Sequence, residues 1–279
     1  MKRTQEITTF NKLSTSELKT KMAEHLIVLK DNNEMYQFFA EHMCNLIEKN
    51  KSKDEPTTLI VPFGPTGQYP IFIKMINARR ISLVNTQFFF MDEYADNEGF
   101  EISENHHLSF RGKLYAMFDK IDKELLPDFS NIIFPSHENL NKLKEMISKR
   151  KLNCTYGGVG IHGHLAFNEP EKGVRYSDPR VVHLNDFTVT INSIRAGIGG
   201  DLENFPRKAL TLGMNQLFSA EKMVIFCRNG IDSIDWANTV LRLALLGTPG
   251  DDYPVTYLKE HNDWVVVTDE DTLKTPNTL

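Results

Sequence analysis

Three groups of residues in this chain have types and spacings suited to chemistry. The first lies in GGVGIHGHLAFNEP, Gly157 to Pro170. His162 and His164 are two apart, so an extended backbone would project both imidazoles to one side. With Glu169 they could ligate a metal, form an acid–base relay, or decorate a polar turn. The metal option is the weakest, because this histidine spacing signals little without a third placed ligand. In a relay, the carboxylate fixes the imidazole tautomer and the ring exchanges protons with a substrate oxygen. The second group is Asp92 and Glu93, at the end of TQFFFMDEY (86–94). Neighbours on a strand point to opposite faces, so they do not share one site. One of them, behind Phe88–Met91, would be partly desolvated and its pKa raised, which suits a general base; a solvated acidic loop is the plain alternative. The third is GPTG: Gly64, Pro65, Thr66 and Gly67. Its glycines permit a tight turn, Thr66 offers a hydroxyl, and a following helix start offers free N–H groups to an anion. The Gly-Lys-Ser/Thr ending of a P-loop is missing, and a plain strand-to-helix turn is the competing reading.

Each group follows an apolar run of strand type. Strands are predicted at 26–30, 58–63, 86–91, 130–135, 152–158, 222–227 and 264–269. Helical spacing fills the gaps. Met35, Phe39, Met43 and Ile47 recur behind a cap at Asp31 or Asn32; further helices are expected from about Pro70, over 106–119, through HENLNKLKEMISKR, and from Ile231 to Leu246. Continuous apolar strands alternating with amphipathic helices indicate a doubly wound α/β fold, a mostly parallel sheet with helices on both faces. Ligands of such sheets bind outside the carboxyl ends of the strands, so parallel strands would bring all three groups to one edge. No linker divides 26–279, which reads as one domain; 171–213 is less regular and reads as an insertion or lid. Residues 1–25 read as an N-terminal helical extension, with a capping box at Ser14 and Glu17.

Composition narrows the function classes. The formal net charge of -5 gives no basis for nucleic acid or an anionic membrane surface as partner. No apolar stretch can span a bilayer, and no apolar run follows the first basic residues to make a signal peptide. Cys44, Cys154 and Cys227 have no metal or redox spacing and read as buried reduced thiols of a cytoplasmic protein.

The motifs, in this order, resemble those of the glucosamine-6-phosphate deaminase/isomerase family. GGVGIHGHLAFNEP is similar to its Gly-x-Gly-x-Asp-Gly-His-Ile-Ala-Phe-Asn-Glu-Pro signature. FFFMDEY, GPTGQYP and KALTLG are similar to its Phe-Asn-Met-Asp-Glu-Tyr, Leu-Pro-Thr-Gly-Gly-Thr-Pro and Ala-Leu-Thr-x-Gly stretches, and the likeness runs from roughly Leu26 to Asp269. It implies a Rossmann-like fold of the sugar-phosphate isomerase type and an aldose–ketose isomerisation with loss of ammonia. By position, Asp92 would be the base that moves a proton from C2 to C1. His164 would open the sugar ring, oriented by Glu169, and Thr66 and Gly67 would lie in the phosphate loop. The substrate implied is a small sugar phosphate, with no metal or organic cofactor. Homo-oligomers occur among such proteins, so a homo-oligomer stays open. A 6-phosphogluconolactonase-like hydrolase and a non-catalytic sugar-phosphate-binding protein are the alternatives.

The departures bear on specificity. His162 stands where the family has an aspartate, so it enters the set of catalytic candidates with an altered charge. Arg180 matches one family arginine, but Val182 falls on a lysine; Lys172 and Arg175 are nearby cations. A later family lysine has no counterpart in RNGIDSIDWA, where Arg228 is close. Gln68 replaces a glycine and is expected to crowd an anion. Each lost charge-assisted contact weakens binding by about 1.5–3 kcal/mol. The expectations are therefore that Asp92, His164 and Glu169 line one pocket, and that glucosamine 6-phosphate is turned over slowly or not at all.

Overall fold

The computed structural model describes residues 2–229 and 235–277. Two short helices, α1 (Arg3–Phe10) and α2 (Thr15–Lys21), precede the first strand, β1 (Leu26–Leu29). The chain continues through α3 (Asn32–Lys51), β2 (Thr57–Val61), α4 (Gln68–Arg79), β3 (Thr86–Phe90), β4 (Asp92–Ala95), α5 (Phe110–Phe118), β5 (Ile132–Ile133), α6 (Leu140–Ser148) and β6 (Cys154–Gly158). It ends with β7 (Arg180–His183), α7 (Asp186–Ala196), β8 (Lys208–Thr211), α8 (Met214–Leu217), β9 (Lys222–Phe226), α9 (Ala237–Leu246), β10 (Trp264–Asp269) and α10 (Glu270–Leu273). The helix expected from Ile231 begins at Ala237; 231–234 lie outside the described residues.

Seven strands form one sheet in the order β1-β10-β9-β6-β2-β3-β5, and every described pairing in it is parallel. The apolar runs require this arrangement, since both faces of each strand are covered. Leu59 and Val61 of β2 enter one core layer and Ile60 the other; Phe88 and Phe90 of β3 part from Phe89 in the same way. Helix α3 closes one layer with Met35, Phe39, Met43 and Ile47, one turn apart, and Asp31 caps it by accepting from the Asn33 and Glu34 amides.

From β2 the sheet grows through β3 to β5, then the chain returns to lay β6 on the other side of β2. That reversal opens a crevice beyond the carboxyl ends of β2 and β6.

The stretch 86–94, expected as one run, is two strands. The chain leaves the large sheet at Met91, and Asp92 starts β4 of a second, antiparallel sheet, β4-β8-β7. The segment 171–213 is thus more regular than expected. It supplies β7, α7 and all of β8, and packs a small separate core around Tyr94, Phe167, Val182, Val189 and Phe205.

Residues 2–25 pack against the rest of the chain: Leu18 is fully buried in the main core, and the Ser14–Glu17 capping box is formed. No described helix is long and apolar enough to cross a membrane. Cys44, Cys154 and Cys227 are free thiols in the core.

Candidate active site

The crevice is a cavity of about 400 Å³ at the carboxyl edge of the large sheet. Gly64, Pro65 and Thr66 enter it after β2, Asp92 after β3, Gly158 to Gly160 and His164 after β6, and Arg228 after β9. The loops after β2 and β6 touch: a Cβ on Gly158 would stand 3.4 Å from the Gly64 carbonyl oxygen.

Asp92 and Glu93 diverge as alternation on a strand demands. Asp92 is buried and faces the cavity; burial first, then the Glu93 charge, pushes its carboxyl up to about 8. Glu93 turns to the start of α5 and accepts from the Phe110 and Arg111 amides at 3.0 and 2.8 Å and from the Ser109 hydroxyl at 3.0 Å. It therefore anchors a helix N-terminus, although burial outweighs these hydrogen bonds and raises its pKa.

His164 lies directly over Gly160: a Cβ there would come within 1.8 Å of Nε2, so a side chain cannot be accommodated without moving the ring. Its Nδ1 is 3.0 Å from Glu169 Oε2, which also accepts from the Asn185 amide nitrogen at 2.6 Å. Burial alone would raise the Glu169 pKa, but the His164 charge and hydrogen bonds from its neighbours outweigh it and lower the pKa. An ionised Glu169 favours the proton on Nδ1 and leaves Nε2 as a proton acceptor.

His162 does not join this pair. Gly163 has φ +68°, and its amide donates to the Gly160 carbonyl in a turn, so the two histidines are not on an extended backbone. The His162 ring meets Phe187 and Tyr253 edge-on, at 4.8 and 6.1 Å between centroids, outside the cavity lining. His162, His164 and Glu169 are consequently not a metal triad, and no group of three or more His, Cys, Asp or Glu among the described residues could hold a metal ion.

The anion-binding candidates divide. Gly67 is not in the lining but starts α4, and the Tyr36 ring lies where its Cβ would be, at 2.3 Å. Gln68, expected to crowd an anion, is fully buried and turns its amide to the Pro65 carbonyl, bracing the loop from beneath. Lys172 is exposed and outside the lining. Arg180 is taken up by Asn168 at 2.8 Å and by Glu171, also outside the lining. The arginine that reaches the cavity after β9 is Arg228, which donates to the Tyr36 hydroxyl at 2.6 Å.

Arg195 and Asn192 on α7, Lys113 on α5, Tyr36 on α3, and Trp236, none of them marked by a motif, also line the cavity. Desolvation at the cavity wall, then the nearby Arg228 charge, depresses the Arg195 pKa. Among the described residues neither guanidinium meets a carboxylate. Nothing in local spacing marks these residues; only the placement of α5 and α7 across the strand ends does.

No family model matches the chain. Curated relatives do. The chain is 30% identical over 263 residues to the glucosamine-6-phosphate deaminase of Serratia proteamaculans, covering 88% of this chain and 90% of the relative. The chain belongs to the glucosamine-6-phosphate deaminase family. The deaminase of Mannheimia succiniciproducens is 29% identical over 255 residues, with 88% and 90% covered. Among solved structures, a monomeric glucosamine-6-phosphate deaminase superposes with a TM-score of 0.75 at 21% identity, covering 89% of this chain and 98% of that one. The 6-phosphogluconolactonase of Thermotoga maritima superposes at 0.61 with 16% identity, covering 88% and 98%. These last two likenesses show the shared fold. Within the deaminase family this chain is a divergent member, and its departures at positions 162, 182 and 68 fall outside the cavity lining.

Proposed function

We propose that the protein is an enzyme that isomerises and deaminates a phosphorylated amino sugar, in the way its family name describes. One observation carries the reading: Asp92 and His164 line the same cavity, and His164 is oriented by Glu169. The phosphate rests on the Gly64–Thr66 turn and on Arg228 and Arg195, which supply the charge that the missing family lysines do not. His164 Nε2 takes the proton of the anomeric hydroxyl and passes it to the ring oxygen as the C1–O5 bond breaks and the ring opens. Asp92 then takes the proton from C2 and returns it to C1, while a proton passes from the amino nitrogen to the C1 oxygen, leaving an imine at C2. Water adds to the resulting C2 imine and ammonia departs. Glucosamine 6-phosphate and water thus give fructose 6-phosphate and ammonia.

The same fold serves lactone hydrolysis. A buried carboxyl whose pKa burial raises favours the isomerase side, because desolvation makes a carboxylate a stronger base toward a carbon-bound proton. Specificity is shifted, since guanidiniums stand at the anion end. Release of ammonia from glucosamine 6-phosphate, set beside a panel of neutral sugar phosphates and 6-phosphogluconolactone, tests the reading. Release of ammonia from glucosamine 6-phosphate, even slowly, supports it. Turnover of the lactone alone, or of nothing, overturns it.

A further inference from the structure

Helix α1 is fastened to the segment that holds the His164 turn. The Arg3 guanidinium donates to both carboxylate oxygens of Asp252, each at 2.8 Å, and to the Thr248 carbonyl at 2.8 Å. Its other nitrogen meets Glu6, which is 3% exposed and accepts from the Thr248 amide and hydroxyl. The guanidinium fills space that glycines leave: a Cβ on Gly247 would lie 3.0 Å from one Arg3 nitrogen, and a Cβ on Gly250 2.9 Å from another. Just past the end of α1, the Asn11 amide donates to the Thr239 hydroxyl of α9 at 3.0 Å.

The clamped segment leads straight to the site. Asp252 is followed by Tyr253, whose ring lies 5.8 Å from the Arg3 guanidinium carbon. Two residues on, the Val255 amide donates to the Gly163 carbonyl at 2.7 Å. The Tyr253 ring and the Val255 side chain crowd the Cα of Gly163, 3.0 and 3.1 Å from where a Cβ would be. Gly163 is the left-handed residue that turns the chain into His164. A side chain held by its backbone this closely moves when that backbone moves, and a displacement of about 1 Å at a reacting group costs on the order of 100-fold in rate.

We propose that Arg3 is a positioning residue for the reaction: through Asp252, Tyr253 and Val255 it holds Gly163, and so the His164 imidazole, in working orientation. This rests on the role given to His164 above.

Amide hydrogen exchange and steady-state kinetics on the full chain decide it. The variants are Arg3→Ala, Asp252→Asn and Tyr253→Leu, with Thr8→Ala as a control on the same helix. The expected result is faster exchange at the Val255 and Gly163 amides in Arg3→Ala and Asp252→Asn, with the Val266 amide of β10 unchanged. Turnover number in Arg3→Ala falls on the order of 10-fold while KM stays within about 3-fold. Arg3→Ala combined with Tyr253→Leu loses little more than the worse single variant, because both act through one path. Unchanged exchange at Val255 and Gly163, a turnover number equal to that of Thr8→Ala, or fully additive losses would overturn the proposal. If Arg3→Ala fails to fold, Asp252→Asn carries the same comparison. If the unaltered protein turns over no sugar phosphate, the functional reading fails, and the exchange result alone decides the coupling.

Discussion

The carboxyl groups of Asp92 and Glu93, adjacent in the chain, face opposite sides of β4: Asp92 lines the cavity, whereas Glu93 accepts the Phe110 and Arg111 amides at the start of α5. Their substitutions should therefore fail in different ways. Asp92→Asn removes the base and should lower turnover by about 100-fold or more while the fold persists. Glu93→Gln leaves the cavity intact but strips charge from a buried helix cap, and should cost about 1–3 kcal/mol of stability. Kinetics and urea unfolding of both variants separate the two outcomes.

The Asp92 carboxyl, raised to about 8 by burial and then by Glu93, ties activity and stability to pH in opposite senses. As a base it works ionised, so kcat/KM should rise about tenfold per pH unit below 8 and level off above it. Stability runs the other way. Below its unfolded value near 3.8 the group is protonated in both states and imposes no penalty. Between that value and 8 the unfolded chain gains by ionising and the folded protein does not, so the contribution is lost as pH rises. Asp92→Asn should match the unaltered protein in stability near pH 4 and exceed it increasingly up to pH 8, with no further gain above. Thermal unfolding across this range checks the sign; a gap that narrows toward pH 8 contradicts it.

At the anion end, Arg228→Met and Arg195→Met should each raise KM about 10- to 100-fold, the equivalent of one charge-assisted hydrogen bond of about 1.5–3 kcal/mol. The turnover number should change far less. Arg180→Met, whose parent side chain is held by Asn168 and Glu171, should leave KM nearly unaltered. Inhibition by inorganic phosphate, measured on the same three variants, should weaken only in the first two.

His162 and His164 should also separate. His164→Gln removes the proton acceptor held by Glu169 and should lower turnover by about 100-fold or more. His162→Ala removes edge contacts with Phe187 and Tyr253, worth about 0.5–1.5 kcal/mol each, and should leave turnover within about 3-fold. A collapse of turnover in His162→Ala would mean that its ring reaches the chemistry or that its contact with Tyr253 holds Gly163 in place.

The parallel sheet was legible in the residues alone, because Leu59–Val61, Phe88–Phe90 and Val265–Val267 are apolar at every position, and a strand with no polar face must be covered on both sides. That pattern, with the rule that ligands bind at the carboxyl edge, also determined which turns would converge. Alternation along a strand parted Asp92 from Glu93 for the same local reason. Tertiary structure decided what local spacing does not encode. The turn at Gly163 withdrew His162 from the cavity, although two-residue spacing on an extended chain would have paired it with His164. The break at Met91, which sends Asp92 into a second sheet, exists because β8 lies ready to pair with β4, and β8 is more than a hundred residues away in the chain. Arg195 and Lys113 reached the cavity only because α7 and α5 cross the strand ends. A helical residue's neighbours on other elements depend on how whole elements pack, and no window of sequence contains that packing.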